Sequence, residues 1–456
     1  MTLPRRARRR IDALIAVVIA IVVAVTAAGL YLSSDVRATT LDTAAPDAAP
    51  TTPVAAIEVP AEVHVAWQLA TEARYGALAT PYGTVVTADE HSVSGFDASD
   101  GTPLWRYSRS NRSLCAVGSG DTTADALDSW TGVHGVMTVF AKNGYCSQVT
   151  LLDPSTGGRL YQRTGPNGDP GRLFFGSPYV GWMSSDYLEL WRHDLVATIR
   201  YGDQPNPVNS TGPHTGCTFT DAAVTADQLA TVEHCGTATN LVLNWPTPSD
   251  APDKDDKGWD ANHSDPKATI PLDGNDAVIL ALTADRAAVL VDGRSPSIVI
   301  YDNAGDEVSR TPADIDAADI AATAHAGITP SVTYQGRRYS LVGTALFAMS
   351  SVTDTIPAPP PDNPSDATDA PATVTVQTPV VDWSASGALG LPAFVAGDIL
   401  VPTAAGLAVH DAGTGRLSAT IAVDRGGYSG RVDVRAVGRV LVEVRADTVV
   451  GLIPAA

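Results

Sequence analysis

The sequence predicts an all-β fold, a ring of eight four-stranded blades, carried behind one N-terminal transmembrane helix. Three observations lead there: a bend motif that returns along the chain, unpaired strand runs at both ends of the exported part, and an uncharged apolar run close to the N-terminus. The motif is clearest in Asp97-Ala98-Ser99-Asp100-Gly101-Thr102-Pro103-Leu104-Trp105, a D-x-x-[TD]-G-x-x-x-aromatic pattern. It returns as Asp153-Pro154-Ser155-Thr156-Gly157-Gly158-Arg159-Leu160-Tyr161, and again as Asp411-Ala412-Gly413-Thr414-Gly415 with Ala419 in the aromatic slot. Each copy follows one strand-like run and precedes another. Asp accepts local backbone hydrogen bonds at a turn and Gly takes positive φ without steric cost, so these are hairpin corners.

Asp97 and Asp153 are 56 residues apart, and Asp302 of Tyr301-Asp302-Asn303-Ala304-Gly305 precedes Asp411 by 109, about two such periods. Long internal periods mean stacked or radial units. Weaker corners are expected near His193-Asp194, near Trp245-Pro246 and near Ser350-Ser351, which brings the corners to seven. The eighth unit comes from the ends. Val440–Val444 and Thr448–Leu452 lack a closing strand, while Val63–Leu69 lacks a partner, so the two termini are expected to share one blade. Residues 62–456 number 395, about 49 for each of eight units, close to the ~40–50 of a four-stranded propeller blade. Seven blades is the second choice. Radial closure also leaves few exposed strand edges.

On these corners the chain resembles the pyrroloquinoline-quinone-enzyme-like propellers, whose repeat reads roughly A-x-D-x-x-T-G-x-x-x-W. The resemblance spans most of the exported part, and Asp97–Trp105 and Asp153–Tyr161 are its best copies. It departs at Asp100, where Thr is usual, and in the later blades, which lack the aromatic. The resemblance implies that Trp105 packs against the next blade. In the enzymes of that family a quinone lies in the central channel with a calcium ion, a catalytic Asp and often a vicinal cysteine pair. This chain has no adjacent cysteines, so no cofactor and no catalytic residue is assigned.

Arg5, Arg6, Arg8, Arg9 and Arg10 precede a 20-residue uncharged run from Ala13 to Leu32. At ~1.5 Å per residue that helix spans about 30 Å, the hydrocarbon thickness of a bilayer. The arginines place residues 1–12 in the cytoplasm and everything after the 13–32 helix outside, at the cell membrane. Cleavage at Val36-Arg37-Ala38 is the competing reading. The apolar run exceeds the ~7–15 residues of a signal peptide core, so a retained anchor is expected. Residues 33–61, rich in Ala, Thr, Pro and Asp, read as a disordered linker.

Formal charge is −20 overall and −24 beyond the membrane, which sets nucleic acid aside as a partner because phosphate binding relies on Lys and Arg. Only four of the 30 basic residues are Lys; with the many Ala residues this composition suits a GC-rich bacterial genome such as an actinobacterium's. Four cysteines in an exported chain favour disulfides and allow three pairings. In the blade register Cys115 opens a first strand and Cys146 a third, while Cys217 opens a first strand and Cys235 ends the second. The expected pairs are therefore Cys115–Cys146 and Cys217–Cys235. His214, Cys217, His234 and Cys235 offer metal-ligand types, but adjacent His and Cys fit one tetrahedral ion poorly, so no metal is assigned.

Pro246–Pro266 and Thr353–Thr373 interrupt the β pattern and read as loops; from Asp253 the first lacks the calcium-loop ligands at positions five (Lys257) and twelve (Ser264). No nucleophile elbow, H-E-x-x-H, P-loop or G-x-G-x-x-G is present. Strand tryptophans such as Trp67, Trp105 and Trp383 read first as core. Trp182, Arg337 and Arg338 are the candidate contact residues. The functional expectation is a non-catalytic, membrane-anchored scaffold for protein interaction or envelope assembly, with a protein partner in the cell envelope. The alternatives are a quinone-dependent dehydrogenase or a ligand or polysaccharide sensor.

Overall fold

The computed structural model describes residues 5–45, 58–120, 135–165, 168, 170–203, 214–247, 266–357 and 373–455. Eight antiparallel sheets follow one another, and each runs from an innermost strand outward. Blade 2 shows the pattern: Leu114–Gly118 lies innermost, then Val136–Lys142, Tyr145–Leu152 and, outermost, Arg159–Thr164. The strands bury Val, Ile and Leu on both sides because every sheet is covered by a neighbour on each face. Val278, Val289 and Val299 of blade 5 are all fully buried.

Eight apolar clusters, one for each junction between consecutive blades, show that the ring closes. The junction of blades 1 and 2 holds Trp105, Tyr107, Leu114 and Phe140, and that of blades 4 and 5 holds Val232, Leu241, Ile279 and Val289. The last junction, between blades 8 and 1, holds Trp67, Val85, Val442 and Val449. Strand pairing joins the two ends of the ring: Val63–Ala70 pairs with Thr448–Pro454 from Val63↔Pro454 to Ala70↔Thr448, so this N-terminal strand is the outermost strand of the blade built from the C-terminus. This is the shared blade expected from the unpaired ends, and the count of eight agrees.

Three expectations are corrected. Residues 33–45 are not a structureless linker: after the apolar helix α1 (Arg5–Leu32) comes a single turn, α2 (Asp35–Ala38), then a strand, Thr39–Asp42, which pairs with Pro103–Arg109 and makes blade 1 five-stranded. Ser34 accepts a hydrogen bond from the Arg37 amide as the N-cap of α2. No corner occurs at Ser350-Ser351, because the third strand of blade 6 continues from Ala345 to Pro357 and pairs with Thr373–Ala385 throughout. Thr353–Pro357 therefore belongs to a long hairpin, not to a loop; 358–372 lies outside the described residues, as does most of Pro246–Pro266.

Candidate functional site

Each blade runs up and down, which puts the turn between its second and third strands, and the link to the next blade, on one face of the ring. The N-terminal apolar helix α1 joins that face. Asp35 accepts hydrogen bonds from Asn111 Nδ2 and Arg112 Nη2, both at 2.9 Å, and lies 3.8 Å from Lys142 Nζ. Asn111 and Arg112 belong to the link between blades 1 and 2, and Lys142 ends a strand of blade 2. Only Ser33 and Ser34 separate α1 from this clamp, so the helix cannot drift more than roughly 10 Å from the ring. Beyond the strand Thr39–Asp42, the Ala44 amide donates to the Thr156 carbonyl at 3.0 Å, at the corner of blade 2 on the opposite face.

The corner residues act between blades. The Trp105 indole N–H donates to the Pro154 carbonyl at 3.0 Å, Trp67 to Ala98 at 3.1 Å and Trp383 to Ala412 at 3.1 Å. Each tryptophan, on the fourth strand of its blade, thus docks on the Asp-Gly corner of the blade that follows. The corner glycine is required twice over. Gly157 has φ +72°, and a Cβ there would lie 2.6 Å from the Trp105 ring; Gly101 stands likewise against Trp67 and Gly415 against Trp383. Asp97, Asp153 and Asp411 cap their own turns, Asp153 Oδ1 taking the Ser155 and Thr156 amides at 3.0 and 2.7 Å. Trp67 and Trp383 precede the corners they dock on by some 30 residues, so the within-motif pattern pairs them with no corner.

Tyr161 does not dock. It is 46% exposed, beside a bulge between Arg159 and Tyr161, and the blade 3 corner presents Leu195 instead of a glycine. Arg163 takes over that junction: Nη1 donates to the Leu195 carbonyl at 3.1 Å, the guanidinium lies 4.9 Å over Trp191, and it pairs with the fully buried Glu189, which Arg200 also contacts at 3.0 Å. The junction of blades 7 and 8 has a similar triad, in which Arg425 and Arg445 both reach the buried Glu443 at 2.8 Å. Burying a carboxylate is costly unless it is paired and hydrogen-bonded in this way.

Inner-strand residues and links from all eight blades line a central cavity of about 1360 Å³. Among the described residues its charged lining is Arg74, Arg172, Arg338, Arg431 and Arg445 against Asp227 and Asp433, an excess of arginine in an acidic chain. Two insertions encroach on it. Between blades 5 and 6, helix α3 (Ala317–His325) seats Ile320 and Ala324 in the junction core, and the chain after it runs along the inner wall to blades 3 and 4. There Ile328 packs with the Phe174 and Val224 cluster, and Thr329 donates its amide and hydroxyl to Asp221 at 2.8 and 2.6 Å. Asp221 is 1% exposed, and burial pushes its carboxyl above the usual range despite those donors. On the other face, the blade 6 hairpin leans over blade 5: Gln377 donates to Asp285 at 2.8 Å and accepts from Thr283 at 2.8 Å.

Of the candidate contact residues, Trp182 is fully buried in the core between blades 2 and 3 and presents no surface. Arg337 and Arg338 do not form one basic spot: Arg337 pairs with Asp382, whereas Arg338 turns into the cavity with its Nε without a partner, and burial lowers its pKa. Disulfides join Cys115 to Cys146 and Cys217 to Cys235. His234 bonds Thr239 at 3.1 Å, while His214 Nδ1 meets Glu233 at 2.7 Å. The described lining does not fit a quinone with calcium. Its two carboxylates stand on blades 4 and 8, Asp433 is engaged by Arg431 at 3.1 Å, and every cysteine is in a non-vicinal disulfide.

No protein-family model matches the chain, and no curated protein matches it. Among solved structures it is similar to the computationally designed Ika8 protein, at 14% identity and a TM-score of 0.47, over 89% of this chain and 100% of that one. A chain of the mitotic checkpoint complex (11%, TM-score 0.41, 87% and 96% covered) and the Neurospora crassa Pan2 WD40 domain (8%, 0.40, 88% and 98%) are further neighbours. Eight sheets closed into a ring decide the fold. It is a β-propeller.

Proposed function

We propose that the protein is a non-catalytic, membrane-anchored scaffold, a propeller of the pyrroloquinoline-quinone-enzyme-like type that keeps the blade module without the quinone chemistry. In this reading residues 1–12 stay cytoplasmic, 13–32 cross the membrane, and the ring formed by 62–456 stands outside, where its disulfides are made. The observation that carries it is the clamp at Asp35 with the added strand Thr39–Asp42. A loosely tethered enzyme gains nothing from such a connection, whereas a scaffold needs one face held at a fixed height and orientation. The blade 6 hairpin then projects from the opposite face, its Val352–Thr355 stretch exposed toward the envelope.

The test is position-specific photo-crosslinking in native membranes. A crosslinking residue at Val352 or Thr375, on the hairpin, should yield one discrete adduct that a residue at Ser309, on the exposed outer strand of blade 5, does not. The same adducts from both positions, or none from the hairpin, would remove the reading. A ligand sensor is the second reading, favoured by the arginines in the cavity. It requires that a small multivalent anion raise the melting temperature and that Arg338→Gln abolish the rise, since only a ligand bound to the native state stabilises it.

A further inference from the structure

We propose that reduction of the Cys217–Cys235 disulfide creates a zinc site made of His214, Cys217, Glu233 and Cys235, so that the two inner strands of blade 4 exchange a covalent crosslink for a metal one at the face that bears the inter-blade links. The donors are already gathered. His214 Nδ1 is 2.7 Å from Glu233 Oε2, Cys235 Sγ is 3.9 Å from the same oxygen, and one donor atom each of His214, Cys217 and Glu233 lie within 4.8 Å of one another. Donors around a tetrahedral zinc, at ~2.0–2.3 Å from the ion, stand roughly 3.3–3.8 Å apart. Small side-chain movements close the difference.

The fold keeps the thiols together once the sulfur–sulfur bond is gone. Cys217 and Cys235 are directly opposite each other in a pairing that runs on to Val224↔Leu229, and the Cα atoms are 4.4 Å apart. That register is held by backbone hydrogen bonds along the whole hairpin. Glu233 is fully buried, and Thr231 Oγ1 donates to its Oε1 at 2.6 Å, which orients the carboxylate and leaves Oε2 toward the histidine and the sulfurs. Hydrogen bonds of this kind from an outer shell fix ligands in zinc centres. One imidazole, two thiolates and one carboxylate are a borderline-soft set that suits zinc and excludes calcium or magnesium. Sequence proximity points to His234, but that side chain is bonded to Thr239; Glu233, one residue earlier, supplies the fourth donor.

A phosphine reductant gives two electrons to the disulfide and is oxidised with one water to the phosphine oxide, the two protons of that water going to the sulfurs to form two thiols. Zinc then displaces both thiol protons and takes Nδ1 of His214, the proton of the Nδ1–Glu233 hydrogen bond passing to Nε2 of the imidazole, which leaves the centre with a net charge of −1. In the oxidised chain neither sulfur can become a thiolate, so the same residues hold no zinc.

The experiment uses the full chain in detergent, with Cys115→Ala/Cys146→Ala so that only one crosslink remains, titrated with cobalt before and after treatment with a phosphine reductant. The reduced protein should bind one cobalt, with the visible bands of tetrahedral cobalt and a thiolate charge-transfer band, and one zinc should displace it. The oxidised protein should show neither. His214→Ala and Glu233→Gln should each weaken zinc at least 10-fold after reduction. Absence of the charge-transfer band in the reduced chain, or unchanged zinc affinity in His214→Ala, would overturn the proposal. Should the double alanine variant not fold, the reduced native chain compared with Cys217→Ala/Cys235→Ala decides the matter by the same bands.

Discussion

Replacing Trp105 by alanine removes an indole that is 3% exposed, set across Gly95 of its own blade and Gly157 of the next, and leaves the Pro154 carbonyl without its donor. A buried Trp→Ala change costs about 3–5 kcal/mol, and the orphaned carbonyl adds about 1 kcal/mol. At ~2.1 cal/mol/K per residue, a ring of roughly 390 residues has an unfolding entropy near 0.8 kcal/mol/K, so a loss of ~5 kcal/mol lowers Tm by about 6 °C. Thermal unfolding of the full chain in detergent, followed by far-ultraviolet circular dichroism, reads this directly. Gly157→Ala should be costly for the complementary reason, since the new methyl meets the ring and the backbone sits at φ +72°. Combining the two changes should cost less than their sum, because removing the indole relieves the clash. An unchanged Tm in Trp105→Ala, or strict additivity in the double variant, would refute the docking argument.

Deleting residues 448–456 takes away the strand that pairs with Val63–Ala70; the truncated chain should lose its cooperative melt, and retention of one would mean that the ring does not depend on terminal closure. Asp35→Ala should change Tm by less than about 2 °C, since a half-exposed ion pair is worth ~1 kcal/mol or less. It should nevertheless speed proteolysis between residues 33 and 45 several-fold, and an unchanged cleavage rate would count against the clamp. The raised carboxyl of Asp221 stabilises the fold fully below the ordinary carboxylate range, and that contribution is drawn down as pH rises through its folded value. Asp221→Asn should therefore flatten the fall in Tm as pH rises above the ordinary carboxylate range, and a slope identical to that of the native chain would show that the group does not titrate with folding.

The parts of the fold legible in the sequence were those set by neighbours along the chain. Asp97 and Gly101 announce a corner because a capping carboxylate and a positive φ are properties of five consecutive residues. The alternation that places Cys217 opposite Cys235 is equally local, and so are the unpaired strand at one end and the missing strand at the other. Less legible was what each corner touches. Trp67 and Trp383 look like any strand tryptophan until the following blade is set against them, and Tyr161 carries the right residue type for a corner that offers Leu195 where a glycine is needed. The strand Thr39–Asp42 was hidden for a related reason: four residues have too little pattern to signal a strand, and their partner lies some 65 residues away.

Turn chemistry, hydrophobic period and segment length act within a few residues, and they were enough to specify a chain of repeated β-hairpins with joined ends, two crosslinks and a leader long enough to span a membrane. Three-dimensional packing settled the rest: Arg163 replaces a tryptophan between blades 2 and 3, Asp35 clamps the N-terminal helix to the ring, and Glu233 rather than His234 faces His214. Those outcomes depend on contacts between residues far apart in the chain, where a single bulge or a one-residue shift in facing changes which side chains meet.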